Sequence, residues 1–120
     1  RTRLFREICE LSFRIQAHAP LTTRPEVIEY DEQGYRETWV DTVRLQDRGV
    51  QPGEFRSIRA PILQLHGVED PHPGSMIRDS LIPFIPHLRY REFQNCGHLP
   101  WLEAEAREDF MEVLRAELRA

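Results

Sequence analysis

Two short stretches carry side chains able to move a proton between them. Asp70 stands in "HGVEDPHPG" (66–74) and His98 in "NCGHLPWLE" (95–103). A carboxylate beside an imidazole accepts Nδ1–H, fixes the tautomer and stabilises the imidazolium formed when Nε2 takes up a proton. Taken singly, each has a plainer explanation: His98 as a histidine capping a strand end, Asp70 as a turn residue before Pro71. Glu69 and Asp79 are the nearest competitors of Asp70 for the acid's role. The pairing becomes the better reading only if the chain brings the two stretches to one edge.

Other chemistry-bearing residues read more simply. Cys96 is two positions from His98, with Gly97 between, and belongs to no paired or spaced set. It reads as a structural cysteine. His66, Asp70, His72 and His98 lack the H-E-x-x-H or paired-cysteine spacing of familiar metal sites, so no metal and no cofactor is expected. Glu103 suits a helix start, where its carboxylate satisfies free backbone N–H groups and steadies the His98 loop. Trp39 and Trp101 read as packing residues.

Positioning Asp70 and His98 falls to the elements around them. "APILQLHG" (60–67) is a short apolar run opened by Pro61 and closed by Gly67, a buried strand. "LRYREF" (88–93) alternates Leu88 and Tyr90 with Arg89 and Arg91, as a strand near a sheet edge does. Between them, Ile77, Leu81 and Phe84 share one face of a helix predicted over 75–85, which Pro83 shortens or kinks. Strand, helix, strand over this length is a βαβ crossover with parallel pairing. Asp70 and His98 each follow a strand, so both fall at the carboxyl edge, where open α/β sheets place their ligands.

A last helix is predicted over 103–118, with Phe110, Met111, Leu114 and Leu118 inward, Glu103 and Glu105 at its positive end and Arg115 and Arg119 at the other. The first fifty residues are helical in pattern. Leu4, Ile8, Leu11 and Ile15 form one stripe over 3–18. Tyr35, Trp39 and Val43 recur over 35–48, where Gly49 stands at the C′ position. A short helical turn is expected at 24–33, and "GVQPGEF" (49–55) is a loop. Two parallel strands are too few for an independent sheet, so further strands are expected upstream.

Composition limits the function classes. The 120 residues carry 16 positive and 20 negative charges, a net charge of −4, well mixed and with no basic stripe for a nucleic acid. All the positive charges are arginine, a pattern of codon usage rather than of phosphate binding. No apolar run has the length of a membrane span. Cys9 and Cys96 form no spaced set, which points to reduced thiols and a cytoplasmic protein. The chain begins at Arg1 inside a helical pattern and without methionine, as a fragment would.

"IRAPILQLHGVEDPHPG" followed by "RYREFQNCGHLPWLE" resembles the C-terminal third of an α/β-hydrolase fold enzyme. In that family a late strand ends in a glycine shortly before the acidic triad member, and the last strand leads to a "GH-x-P-x-x-E" stretch with the catalytic histidine. The order acid then base is that of the family's Ser…Asp…His arrangement. The resemblance implies Asp70 as the acid and His98 as the base. It covers 58–118 best, extends faintly over "ETWVDTVRLQDRG" (37–49) as the end of a helical cap, and is only permissive before that.

The implied architecture is α/β: a helical cap-like region over 1–57, then the C-terminal part of a hydrolase core over 58–120. The G-x-S-x-G nucleophile elbow is absent, since Ser12, Ser57, Ser75 and Ser80 all lack that context. The family's oxyanion hole, built from the residue after the nucleophile and an early loop, is missing with it. The expected function is ester-type hydrolysis of a small-molecule substrate by the complete enzyme, with a serine or aspartate nucleophile supplied elsewhere and no turnover by these residues alone. The alternative is a non-catalytic interaction module, a truncated hydrolase that forms homo-oligomers or binds a partner through its open sheet edge.

Overall fold

The computed structural model describes residues 2–22 and 31–119. The turn expected at 24–33 lies almost wholly outside them. The fold is mixed α/β, with four α-helices and two parallel strands in one sheet among the described residues. In order these are α1 (Thr2–Gln16), α2 (Glu32–Asp47), β1 (Ile62–Gly67), α3 (Gly74–Leu81), β2 (Leu88–Phe93) and α4 (Arg107–Glu117). Short 3₁₀ turns cover Gly53–Ser57, within and beyond the expected loop, and Pro100–Leu102.

The strands pair in parallel from Ile62 opposite Leu88 to Gly67 opposite Phe93, as the βαβ pattern predicts. Side chains alternate between the two faces of a pleated sheet, and the partners follow that alternation. On one face Leu65 and Phe93 meet α4. There Phe93, Cys96, Ala106 and Phe110 form the buried cluster, flanked by Leu65, Met111, Val113 and Leu114. The Phe93 and Phe110 rings meet edge to face at 5.7 Å, each contributing roughly 1.5–3 kcal/mol by burial. Arg89 and Arg91 project to this same side and pair with Glu117 and Asp109 of α4, so the charges that suggested an open edge are answered by a helix.

On the other face Gln64 Nε2 donates to the Gly74 carbonyl at 3.1 Å and the Arg78 guanidinium lies 5.0 Å from the Tyr90 ring centre. This face packs on α3. That helix ends at Leu81, short of the expected 85, because Pro83 has no N–H with which to continue the ladder.

Two expectations need correction. α4 begins at Arg107, four residues later than the pattern suggested, so Glu103 precedes the helix and its first-turn acids are Glu108 and Asp109. Leu118, expected inward, is 79% exposed, because the helix ends at Glu117 and Leu118 is its C-cap.

The helical half also departs from a simple inward stripe. α1 forms where expected, yet Leu4, Ile8, Leu11 and Ile15 are 52–63% exposed while Phe13 is buried. α2 is capped by Asp31, whose side chain accepts the Gly34 N–H, and it is followed by Gly49 at φ +67°, the left-handed conformation predicted for that glycine. The Tyr35 ring stands between those of Phe5 and Trp39, at 5.1 and 6.1 Å. Among the described residues no helix is long and apolar enough to cross a membrane.

Candidate functional site

The carboxyl ends of β1 and β2 are joined by backbone. Past the strand ends, Val68 N–H donates to the Phe93 carbonyl at 3.0 Å and Glu69 N–H to that of Cys96 at 2.8 Å. This zipper draws the Asp70 loop onto the His98 loop. It requires glycine at 67, where a Cβ would run into the carbonyl oxygens of Cys96 and Gly97.

The two sequence-predicted residues meet there. His98 Nδ1 lies 2.6 Å from Asp70 Oδ2. The Asp70 side chain is 2% exposed and that of His98 44% exposed, so the acid is buried and the ring reaches solvent. Glu69 is exposed, and Asp79 pairs with Arg78; neither competes for His98.

Asp70 is ionised at neutral pH. Burial by itself raises its pKa, but the His72 backbone N–H at 2.8 Å, the His98 hydrogen bond and the nearby His98 and His66 rings outweigh burial and hold the carboxyl below its ordinary value. An ionised carboxylate only accepts, so His98 Nδ1 carries the proton in this bond. In the neutral ring Nε2 is then left with its lone pair, the arrangement of a general base.

Two further histidines, His66 and His72, gather at the acid despite lacking a familiar ligand spacing. His72 N–H closes a turn onto Asp70 Oδ1, and its Nδ1 is 3.3 Å from the same oxygen. The "D-P-H" triplet carried the signal, since Asp closes such turns on the residue two further on. His66 Nε2 lies 2.7 Å from the His72 carbonyl and 3.3 Å from Asp70 Oδ2. A carbonyl cannot donate, so His66 Nε2 holds its proton and braces the loop from beneath. One donor atom each from Asp70, His72 and His98 falls within 4.8 Å of the others.

Glu103 does more than a helix-start residue would. It is 1% exposed. Its Oε1 accepts the N–H groups of Gly97 and His18, both at 2.9 Å, and its Oε2 that of Ala19 at 2.7 Å. His98 N–H in turn donates to the Gln16 carbonyl at 2.8 Å. Leu21 N–H and Ala104 N–H extend the contact to Leu102 and Ala19, with Pro20 bridged to Glu103. The end of α1 is therefore fastened to the loop that presents His98. Gly97 sits in the crossing, where a Cβ would strike the Gln16 carbonyl oxygen.

Cys96 is fully buried, and burial first, then the Glu103 and Asp70 charges, push its thiol up to about 11. It is not a nucleophile at neutral pH. Surface hollows of about 520 and 470 Å³ lie along α2, where Trp39 and Val40 line both. Neither of these two hollows is lined by Asp70 or His98. A scan against protein-family models and searches of the curated proteins and of the solved structures returned no match to this chain.

Proposed function

We propose that this chain supplies the acid–base half of an α/β-hydrolase active site, with His98 as general base and Asp70 as the residue that orients it. The observation that carries the reading is the 2.6 Å contact between His98 Nδ1 and a buried, ionised Asp70 at the carboxyl edge of a parallel strand pair. In the complete site, His98 Nε2 takes the proton of a nucleophile as it attacks an ester-type carbonyl and returns it to the leaving group. It then deprotonates water for the second half of the cycle. Asp70 stabilises the imidazolium at each stage. The nucleophile, a serine or an aspartate, and the oxyanion-hole donors come from outside residues 1–120, because no serine of this sequence stands in an elbow context.

The test is hydrolysis of a p-nitrophenyl ester by the polypeptide that includes whatever residues are encoded upstream of Arg1. Turnover there falls by about 10³–10⁴-fold in His98→Ala and Asp70→Asn. The 120-residue chain alone shows none. His98-dependent turnover by residues 1–120 alone would overturn the external nucleophile, and full activity in His98→Ala would overturn the whole reading.

A second reading, a non-catalytic module that binds a further chain or another copy of itself, is favoured by two observations. α1 exposes Leu4, Ile8, Leu11 and Ile15 along one stripe, and among the described residues each strand of the two-stranded sheet keeps one unpaired edge. Size-exclusion chromatography separates the readings: a stable, well-behaved monomer counts against the module.

A further inference from the structure

We propose that Asp70, His72 and His98 form a binding site for a borderline divalent transition-metal cation of the zinc type. The residues come from two loops, and the β1 and β2 ends hold them together. One carboxylate oxygen and two ring nitrogens lie within 4.8 Å of one another, and the His72 and His98 ring centres are 6.1 Å apart.

The three groups differ in freedom in the way such a site needs. Asp70 is the fixed anchor: its side chain is 2% exposed, and the His72 N–H donates to its Oδ1 at 2.8 Å. A hydrogen bond from outside the ring donors orients the carboxylate for a metal, and here the His72 backbone N–H supplies it; His66 is not a ligand, since its Nε2 donates to the His72 carbonyl. His72 and His98 are the mobile arms, with side chains 64% and 44% exposed. Zinc bound at about 2.0–2.1 Å in a tetrahedron sets its donors roughly 3.3–3.4 Å apart. The donors, within 4.8 Å of one another with His98 Nδ1 only 2.6 Å from Asp70 Oδ2, reach that spacing by small movements of the two exposed rings, and solvent supplies the fourth ligand.

The donor set selects the ion. Two imidazoles and a carboxylate suit Zn²⁺ and its neighbours in the first row, whereas Mg²⁺ and Ca²⁺ require mostly oxygen ligands. The nitrogen that binds must offer its lone pair. Where that nitrogen is His98 Nδ1, its proton moves to Nε2 and the ion replaces the hydrogen bond to Asp70, with no net loss of protons. Occupation by the ion and the action of His98 as a base are then mutually exclusive, so zinc inhibits any enzyme that uses this pair. The site itself does not rest on the hydrolase reading, because His72 has no part in it.

Isothermal titration of the 120-residue chain with zinc chloride tests the proposal. The expected result is one Zn²⁺ per chain, with affinity reduced about tenfold or more in His72→Ala and in His98→Ala. The His18→Ala/His87→Ala double variant, which alters the two histidines that touch neither the ligands nor Asp70, leaves it unchanged. An excess of Mg²⁺ or Ca²⁺ does not compete. In the unmutated chain, Zn²⁺ shifts the imidazole ¹⁵N signals of His72 and His98, a readout that does not depend on the folding of any variant. Absence of binding, affinity unmoved by His72→Ala, or signals shifting at His18 and His87 instead would overturn the site. None of those results touches ester turnover by the complete polypeptide, so failure here and failure of the hydrolase reading are distinguishable.

Discussion

The buried carboxylate of Glu103 accepts the N–H of Gly97 at 2.9 Å, one residue before His98. The same side chain accepts from His18 and Ala19. One side chain thus serves three backbone donors on two segments far apart in sequence.

Glu103→Ala removes every one of those acceptors, leaving the buried Gly97 N–H and two part-buried donors without them. A buried donor left unsatisfied costs roughly 1–3 kcal/mol, so the variant loses at least that from Gly97 alone. Glu103→Gln, which keeps one acceptor oxygen, loses less. Urea denaturation ranks the three proteins, and equal midpoints for Glu103→Ala and the unmutated chain would remove the clamp from the account.

Gly67→Ala drives a methyl group into the Cys96 and Gly97 carbonyls. These are backbone atoms of the paired loop, with no rotamer through which to yield. The variant loses on the order of 1–3 kcal/mol by overpacking. It also parts Asp70 from His98, read as loss of the downfield His98 Nδ1–H resonance. A Gly67→Ala protein with unchanged stability and an intact resonance would show that the loops tolerate the extra atom.

Acid weakens the fold through Asp70. Its folded pKa is depressed below the ordinary 3.8. The stabilisation is therefore present in full above the unfolded value and is lost as pH falls through the folded one. Glu117, lowered by its hydrogen bond to Arg89, acts in the same direction from an exposed position. The Asp70→Asn variant isolates the first contribution: its stability falls less steeply than that of the unmutated chain on acidification below about pH 4. Parallel curves from denaturant titrations across that window would contradict the assignment.

The two cysteines separate by accessibility. Cys96 is fully buried with its thiol raised to about 11, whereas Cys9 lies on α1 and is part-exposed. Iodoacetamide at pH 8 modifies Cys9 in the native chain and Cys96 only after unfolding, as counted by mass spectrometry of tryptic fragments. Rapid native modification of Cys96 would mean that the core under β2 opens readily.

What was legible in the sequence follows the range of the interactions. β2 is found at its observed limits because Leu88 and Tyr90 alternate with Arg89 and Arg91, although the buried Phe93 falls on the arginine face. The meeting of Asp70 and His98 was readable because parallel pairing brings the ends of consecutive strands together. The role of Glu103 was not, since its partners His18 and Ala19 lie some eighty positions away and nothing local records a backbone donor at that distance. The start of α4 was misjudged for the same reason. "LEAEA" has the residues of a helix start, but Glu103 is drawn into a bridge with Pro20 and the helix waits until Arg107. The apolar stripe of α1 was visible as a pattern, yet periodicity reports only that residues share a side, and here that side is turned outward.

The hydrogen bond from His98 N–H to the Gln16 carbonyl makes the last turn of α1 a mechanical lever on the imidazole. The helix cannot tilt or slide about its C-terminal end without carrying the backbone of His98 with it, and a displacement of the ring away from Asp70 is felt along the helix in return. A molecule pressing on the exposed stripe of α1 would pull on the His98 backbone without touching the ring.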